Sequence, residues 1–239
     1  MKQLLRSAAR GIFYRSGLAN YFKGQKAQDK WVILNVLPFK RRGFFLDLAA
    51  ADGVEGSNSY VLEKLFGWRG ICIEPNPGYF DALRKTRRCI ADPSVISDRC
   101  ETIQFRIDNG QLGGIVASDT DNNAEIRGDQ LSSAKILDLK AVPLIDVLRR
   151  HNAPKVIDYF SLDVEGCEER IIGSFDFDQY TFRCLTIERP TPKVNEVLFA
   201  NGYLFVKNDR FDSFYVHSSL AERKHIERQP FEQVPKKTW

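Results

Sequence analysis

Two acids stand where an apolar run hands over to a turn and then to the next segment. In Phe44-Phe45-Leu46-Asp47-Leu48-Ala49-Ala50-Ala51-Asp52-Gly53, the run gives way to small residues and a glycine. Val61, Leu62, Leu65 and Phe66 then keep helical spacing. Small side chains let the backbone approach a ligand closely, and the N-terminus of the following helix offers N–H groups. Glu74 follows Gly53 by 21 residues and closes the next apolar run, Gly70–Ile73. A carboxylate in that place suits a ribose diol, because both hydroxyls can donate to it. The turn lacks the G-x-G-x-x-G pattern, and Asp47 would repel a pyrophosphate while attracting an ammonium. A nucleoside carrying an amino acid therefore fits better than a dinucleotide, and S-adenosylmethionine is such a molecule. The plainer reading is a strand–turn–helix with solvated acids.

A second constellation is Val156-Ile157-Asp158-Tyr159-Phe160-Ser161-Leu162-Asp163-Val164-Glu165-Gly166. An apolar strand ends there in two carboxylates two residues apart. In an open α/β sheet the carboxyl ends of the strands form the ligand crevice. Asp163 and Glu165 are thus expected beside the pocket opened by Asp47 and Glu74, and Glu188 adds a carboxylate at the end of a further strand. Against this, Glu165 could simply cap the next helix and Asp163 hold a loop.

Positioning these residues requires alternating strands and helices. Strands are predicted at Gly43–Leu48, Gly70–Ile73, around Val95-Ile96, at Val156–Leu162 and at Cys184–Ile187, with Tyr203–Val206 and Ser213–Val216 as a closing hairpin. Helices fit at Tyr79–Lys85, Leu144–Arg150, Glu168–Ile172 and Lys193–Ala200. Such alternation means a mostly parallel α/β sheet covered on both faces. Residues 101–139 break the rhythm and read as an insertion of strands and polar loop, placed over the substrate. Residues 1–28 are expected to be a basic N-terminal helical extension, with no acid before Asp29. It reads as a helix packed on the domain, a membrane-surface contact or a mitochondrial-type presequence. The domain proper is expected over 29–220, and 221–239 is a polar, frayed C-terminal tail.

Composition narrows the field. At 43% hydrophobic and 12% aromatic, the 239 residues can build a sizeable core, which excludes a mostly disordered chain. No apolar run is long enough for a membrane span. A net charge of +4 from 35 basic and 31 acidic residues is too mixed to imply a nucleic-acid partner. Five cysteines without a Cys-x-x-Cys pair suit neither a disulfide framework nor structural zinc, so a reducing, cytoplasmic setting is expected.

The run Gly43–Asn76 and the run Tyr159–Glu169 (YFSLDVEGCEE) resemble the FkbM-type family of S-adenosylmethionine-dependent methyltransferases. Gln28-Asp29, Val95-Ile96-Ser97-Asp98, Leu185-Thr186-Ile187-Glu188 and Asn201-Gly202-Tyr203 extend the resemblance over residues 25–217. It implies a Rossmann-like, seven-stranded, mostly parallel sheet (the class I methyltransferase fold) with the last strand antiparallel. It also implies that Asp47, Ala49, Asp52, Gly53, Ser57, Asn58, Glu74, Asn76 and Ser97 line the cofactor pocket, with Gln28 and Asp29 as weaker candidates. Ser57 and Asn58 also suit a helix cap. Ala49 departs from the family's D-x-G-A pattern, where a glycine is usual.

Members of that family mostly methylate hydroxyls of sugars and polyketide-type natural products, so a small-molecule or glycan hydroxyl is the expected partner, not nucleic acid. A homo-oligomer is compatible with the sequence. Methyl transfer from a sulfonium is an in-line displacement that must shed one proton. Asp163 is the first choice of base, with Glu165 and His217 as alternatives. Asp163 and Glu188 form a candidate Mg²⁺ pair. Two rivals remain at this stage. One is an RNA or DNA methyltransferase. The other is a non-catalytic module of the same fold that binds a membrane or a partner through its N-terminus.

Overall fold

The computed structural model describes residues 17–220 and 226–235. Most of the expected N-terminal helix therefore lies outside the described residues. Of residues 17–28, Leu18–Tyr21 form a 3₁₀ turn. Helix α1 then starts at Gln28–Lys30 and runs on as π-helical turns over Trp31–Val36.

Seven strands make the main sheet: β1 (Phe44–Leu48), β2 (Arg69–Ile73), β3 (Ile90–Asp92), β8 (Val156–Leu162), β9 (Thr181–Glu188), β10 (Tyr203–Asp209) and β11 (Asp212–His217). Their order is β10-β11-β9-β8-β1-β2-β3. β1, β2, β3, β8 and β9 run parallel, whereas β11 is antiparallel to both β9 and β10. β1 is central and buried on both faces, as a run that is apolar but for Asp47 requires. Phe45 faces a cluster with Trp31, Val61, Leu62 and Leu83, which come from α1, α2 (Tyr60–Lys64) and α3 (Pro77–Thr86). Leu46 and Leu48 face the other way. There they meet Leu144 and Val147 of α5 (Leu144–Arg150), Ile171 and Ile172 of α6 (Glu168–Ser174), and Val194 and Leu198 of α7 (Pro192–Ala200). Helices thus cover both faces. The missing number, α4, is the short Ala124–Arg127.

Three expectations need correction. Val95-Ile96 is a strand but not the third of the main sheet; that place belongs to Ile90–Asp92, whose three residues carry too little pattern to announce it. β4 (Val95–Ser97) instead joins a second sheet of order β4-β7-β5-β6, with β5 (Glu101–Arg106), β6 (Gly114–Ile115) and β7 (Ile136–Pro143). The inserted unit therefore runs past residue 139, since β7 continues to Pro143 and feeds α5 directly. Finally, residues 226–235 do not fray. Gln229 N donates to Val206 O at 2.7 Å, Gln233 bonds Asn195 and the Pro190 carbonyl, and Phe231 packs edge-on to Phe199 and Phe205. This segment runs alongside β10, the outermost strand, which shields a sheet edge that would otherwise be open.

Candidate functional site

The carboxyl ends of β1, β2, β8 and β9 surround one pocket. Its floor carries Asp47, Ala49 and Ala51 from the β1 turn, Glu74 and Asn76 after β2, Asp163 and Glu165 after β8, and Glu188 and Arg189 after β9. Gln25 and Gln28 close it on one side, and Phe105 and Gly110–Ile115 of the inserted unit on another. Gln25 Nε2 donates to Gln111 Oε1 at 3.3 Å, joining those two walls.

The β1 turn is wound tightly. Ala49 (φ 60°) and Ala51 (φ 47°) both adopt left-handed backbone. This brings the Ala51 N–H to Glu74 Oε2 at 2.8 Å, and Asn76 N–H donates to Glu74 Oε1 at 2.9 Å. A carboxylate accepts about four hydrogen bonds, so Glu74 keeps capacity for a ligand diol. Burial raises Glu74 to about 7 against these two backbone bonds. Asp47 is buried and accepts from Ser59 Oγ; burial raises its pKa, while Ser59 and Arg87 pull the other way.

Asn58 Nδ2 donates to Ser161 Oγ at 2.9 Å, but its buried Oδ1, on the pocket wall, has no hydrogen-bond partner among the described residues. Ser57 Oγ accepts the Tyr60 N–H at 3.1 Å, so it lines the pocket and also anchors the start of α2. Asn76 caps α3 through Gly78 N and ties to the inserted unit through Ile107 O.

At the adjoining ends of β8 and β9, one ligand oxygen each from Asp163, Glu165 and Glu188 lie within 4.8 Å of one another. Burial, then the Glu188 charge, pushes Asp163 well above the usual carboxylate range. Glu168 behind them accepts from Val164 N and is raised to about 8, chiefly by burial. Gly166 makes this corner possible: at φ 99°, a Cβ there would sit 2.8 Å from the Asp121 N. Arg189 was not foreseen from sequence, where only its position next to Glu188 marks it. Its guanidinium meets Glu188 at 2.7 Å and Asp121 at 3.5 Å and lies over the Phe211 ring.

Asp47, Ala49, Ser57, Asn58, Glu74, Asn76, Asp163, Glu165, Glu188 and Gln28 thus meet at one pocket. Five other candidates do not line it. Asp52 spends its carboxylate on the Val54 and Glu55 N–H groups of its own turn. Gly53 faces α3, where an added Cβ would strike Leu83 and Arg87. Ser97 is buried on β4, with its hydroxyl donated to Asp98; its neighbours Ser94, Val95 and Ile96 line the pocket in its place. Asp29 accepts from the Lys23, Gly24 and Lys30 N–H groups, bracing the loop that carries Gln25. His217 cannot serve as the base. It pairs with Tyr203 at the start of β10, at the opposite edge of the sheet from the pocket.

A family model described as the methyltransferase FkbM domain matches residues 47–211. No curated protein matches the chain. Among solved structures, the METTL16 MTase domain is 14% identical with a TM-score of 0.41, over 79% of this chain and 64% of that one. Methyltransferase FkbM from Methylobacillus flagellatus KT is 12% identical with a TM-score of 0.44, over 75% of this chain and 44% of that one. The chain therefore spans less than two thirds of either. M. capricolum TrmK in complex with S-adenosyl-homocysteine is 9% identical, with a TM-score of 0.39, over 82% and 67%.

Proposed function

The chain belongs to the FkbM methyltransferase family, and from that premise we propose that it is an S-adenosylmethionine-dependent O-methyltransferase acting on a hydroxyl of a sugar, glycan or polyketide-type natural product. The carrying observation is the pairing of Asp47 and Glu74, buried acids at the ends of neighbouring parallel strands, in the same pocket as the Asp163 cluster. Glu74, with lone pairs to spare, suits a ribose diol. Asp47 and the unpartnered Asn58 Oδ1 both suit an ammonium group. These residues fit the cofactor on chemistry and on position.

S-adenosylmethionine, when bound, supplies a methyl group on a positively charged sulfur. The chain's own residues hold the acceptor in line and take its proton. Asp163 is the base in this reading, with Glu165 beside it. Burial and the neighbouring Glu188 charge raise the Asp163 carboxyl, which makes its carboxylate a stronger acceptor for the hydroxyl proton. Among the described residues, Asp47, Glu55, Glu74, Asp163, Glu165 and Glu188 line the pocket against a single cation, Arg189, which is itself paired. Such a wall suits an uncharged hydroxyl and repels a phosphate backbone. The same three carboxylates are a hard-oxygen donor set of the kind Mg²⁺ takes, which is the second reading of the cluster. All five cysteines are thiols, which supports a reducing, cytoplasmic setting. Among the described residues, no helix is long and apolar enough to cross a membrane.

The test is calorimetric titration of the wild type and Glu74→Ala with S-adenosylmethionine and S-adenosylhomocysteine, followed by turnover of polyol acceptors with Mg²⁺ or with a chelator. Loss of one diol-binding carboxylate should weaken both ligands at least ~10-fold. No binding by the wild type would sink the proposal. Equal turnover with chelator would remove the cation.

A further inference from the structure

One buried base serves the pocket without lining it. Arg87 follows α3, and its side chain is entirely inside the protein. Nε donates to Glu63 Oε2 at 3.0 Å, Nη1 to Gly53 O at 2.9 Å and Ser57 Oγ at 3.2 Å, and Nη2 to Ser59 Oγ at 3.0 Å. Ser59 in turn donates its hydroxyl to Asp47. The guanidinium lies 5.4 Å from the Phe45 ring centroid and 5.8 Å from that of Tyr60. Its fork thus joins both ends of the turn that follows β1, and it places a positive charge behind the acid at the end of that strand. A buried Arg is retained where several acceptors need one rigid set of donors.

We propose that Arg87 is a positioning residue for the cofactor's amino-acid end: through Ser59 it fixes the Asp47 carboxylate, and through Gly53 and Ser57 it fixes the turn beside it. This rests on the S-adenosylmethionine reading above. Arg87 has no counterpart role at the ribose end, since Glu74 is held by the Ala51 and Asn76 N–H groups instead. The charged and titratable groups facing Asp47 are Arg87 from the end of α3, Glu74 and Cys72 from β2, and Tyr159 from β8. Arg87 is the one base among them, so it offsets the cost of keeping Asp47 ionised.

The roles of the two ends can be separated by ligand. Wild type, Arg87→Met and Ser59→Ala are titrated with S-adenosylmethionine and with 5′-methylthioadenosine, which keeps the nucleoside and lacks the amino-acid group. Both variants should bind S-adenosylmethionine about tenfold more weakly or worse, the loss expected for one charge-assisted hydrogen bond, while methylthioadenosine changes by less than about twofold. Ser59→Ala leaves the Arg87–Glu63 pair in place, so it decides the matter if Arg87→Met fails to fold. Equal weakening of both ligands, or of neither, overturns the proposal. A wild type that binds neither ligand overturns the cofactor reading itself, which distinguishes the two failures.

Discussion

Ala49 shows what one methyl group costs at a pocket-lining turn. Its φ of 60° lies in the left-handed region, where a Cβ meets the following carbonyl at a cost of ~1–2 kcal/mol. The FkbM pattern carries glycine at this position, so the backbone keeps a glycine's conformation without the residue that adopts it freely. Glycine also loses more conformational entropy on folding, roughly 0.5–1 kcal/mol, which offsets about half of that cost. Ala49→Gly should therefore change stability by less than ~1 kcal/mol in a denaturant melt and bind S-adenosylmethionine as tightly or more tightly. Weaker binding would mean that the methyl itself contributes a contact. Ala51, Glu165 and Arg189 share left-handed backbone on the same pocket.

At the scale of elements, legibility followed pattern length. β1, β8 and the helices Leu144–Arg150 and Glu168–Ser174 each carry enough apolar residues for periodicity to find them. Ile90–Asp92 does not, and β7 hides its period because it is half-buried with Asp138 and Lys140 exposed. The site was legible where a carboxylate ends a strand, since Asp47, Glu74, Asp163 and Glu188 all do so. It was illegible where a residue works from behind. Arg87 sits in a basic run, Arg84–Arg88, and nothing in the sequence distinguishes the buried member from its solvated neighbours. The C-terminal segment looks polar because, among its described residues, its apolar anchors are only Ile226, Phe231 and Val234. Removing residues 226–239 uncovers Phe205 and Val206 of β10. Full burial of one such side chain stabilises by ~1.5–3 kcal/mol. Truncation should thus lower the thermal midpoint by several degrees and promote aggregation through the bared strand, read by calorimetry and light scattering. An unchanged midpoint would mean that the segment lies on the sheet without stabilising it.

For the molecule as a whole, buried acids set the pH dependence. Burial raises Glu74 to about 7, Glu168 to about 8 and Asp212 to about 6, from ordinary values of 4.5, 4.5 and 3.8. Each binds its proton more tightly in the folded chain than in the unfolded one. Its stabilising contribution is complete below the ordinary value and is lost as pH rises through the folded value. Glu63 acts in the opposite sense. Burial opposes its shift, but Arg87 and its hydrogen bonds overcome that and hold it near 2, so its contribution is lost only on acidification below about 4.5. The ligand-free protein should therefore melt highest near pH 5 and progressively lower toward pH 8. A midpoint that rises over that interval would show these acids to be ionised without penalty.

One bond reaches further than its size suggests. Gln28 Nε2 donates to Asp212 Oδ1 at 3.1 Å across 184 residues, with both side chains buried and Gln28 on the pocket wall. Between them, β1 waits for β8, and β9 waits for the strand that Asp212 begins. On the ribosome, the first pocket-lining turn emerges long before the strands that flank it. A nascent chain halted short of residue 212 carries every described residue that lines the pocket, yet lacks the carboxylate that holds Gln28 in its wall.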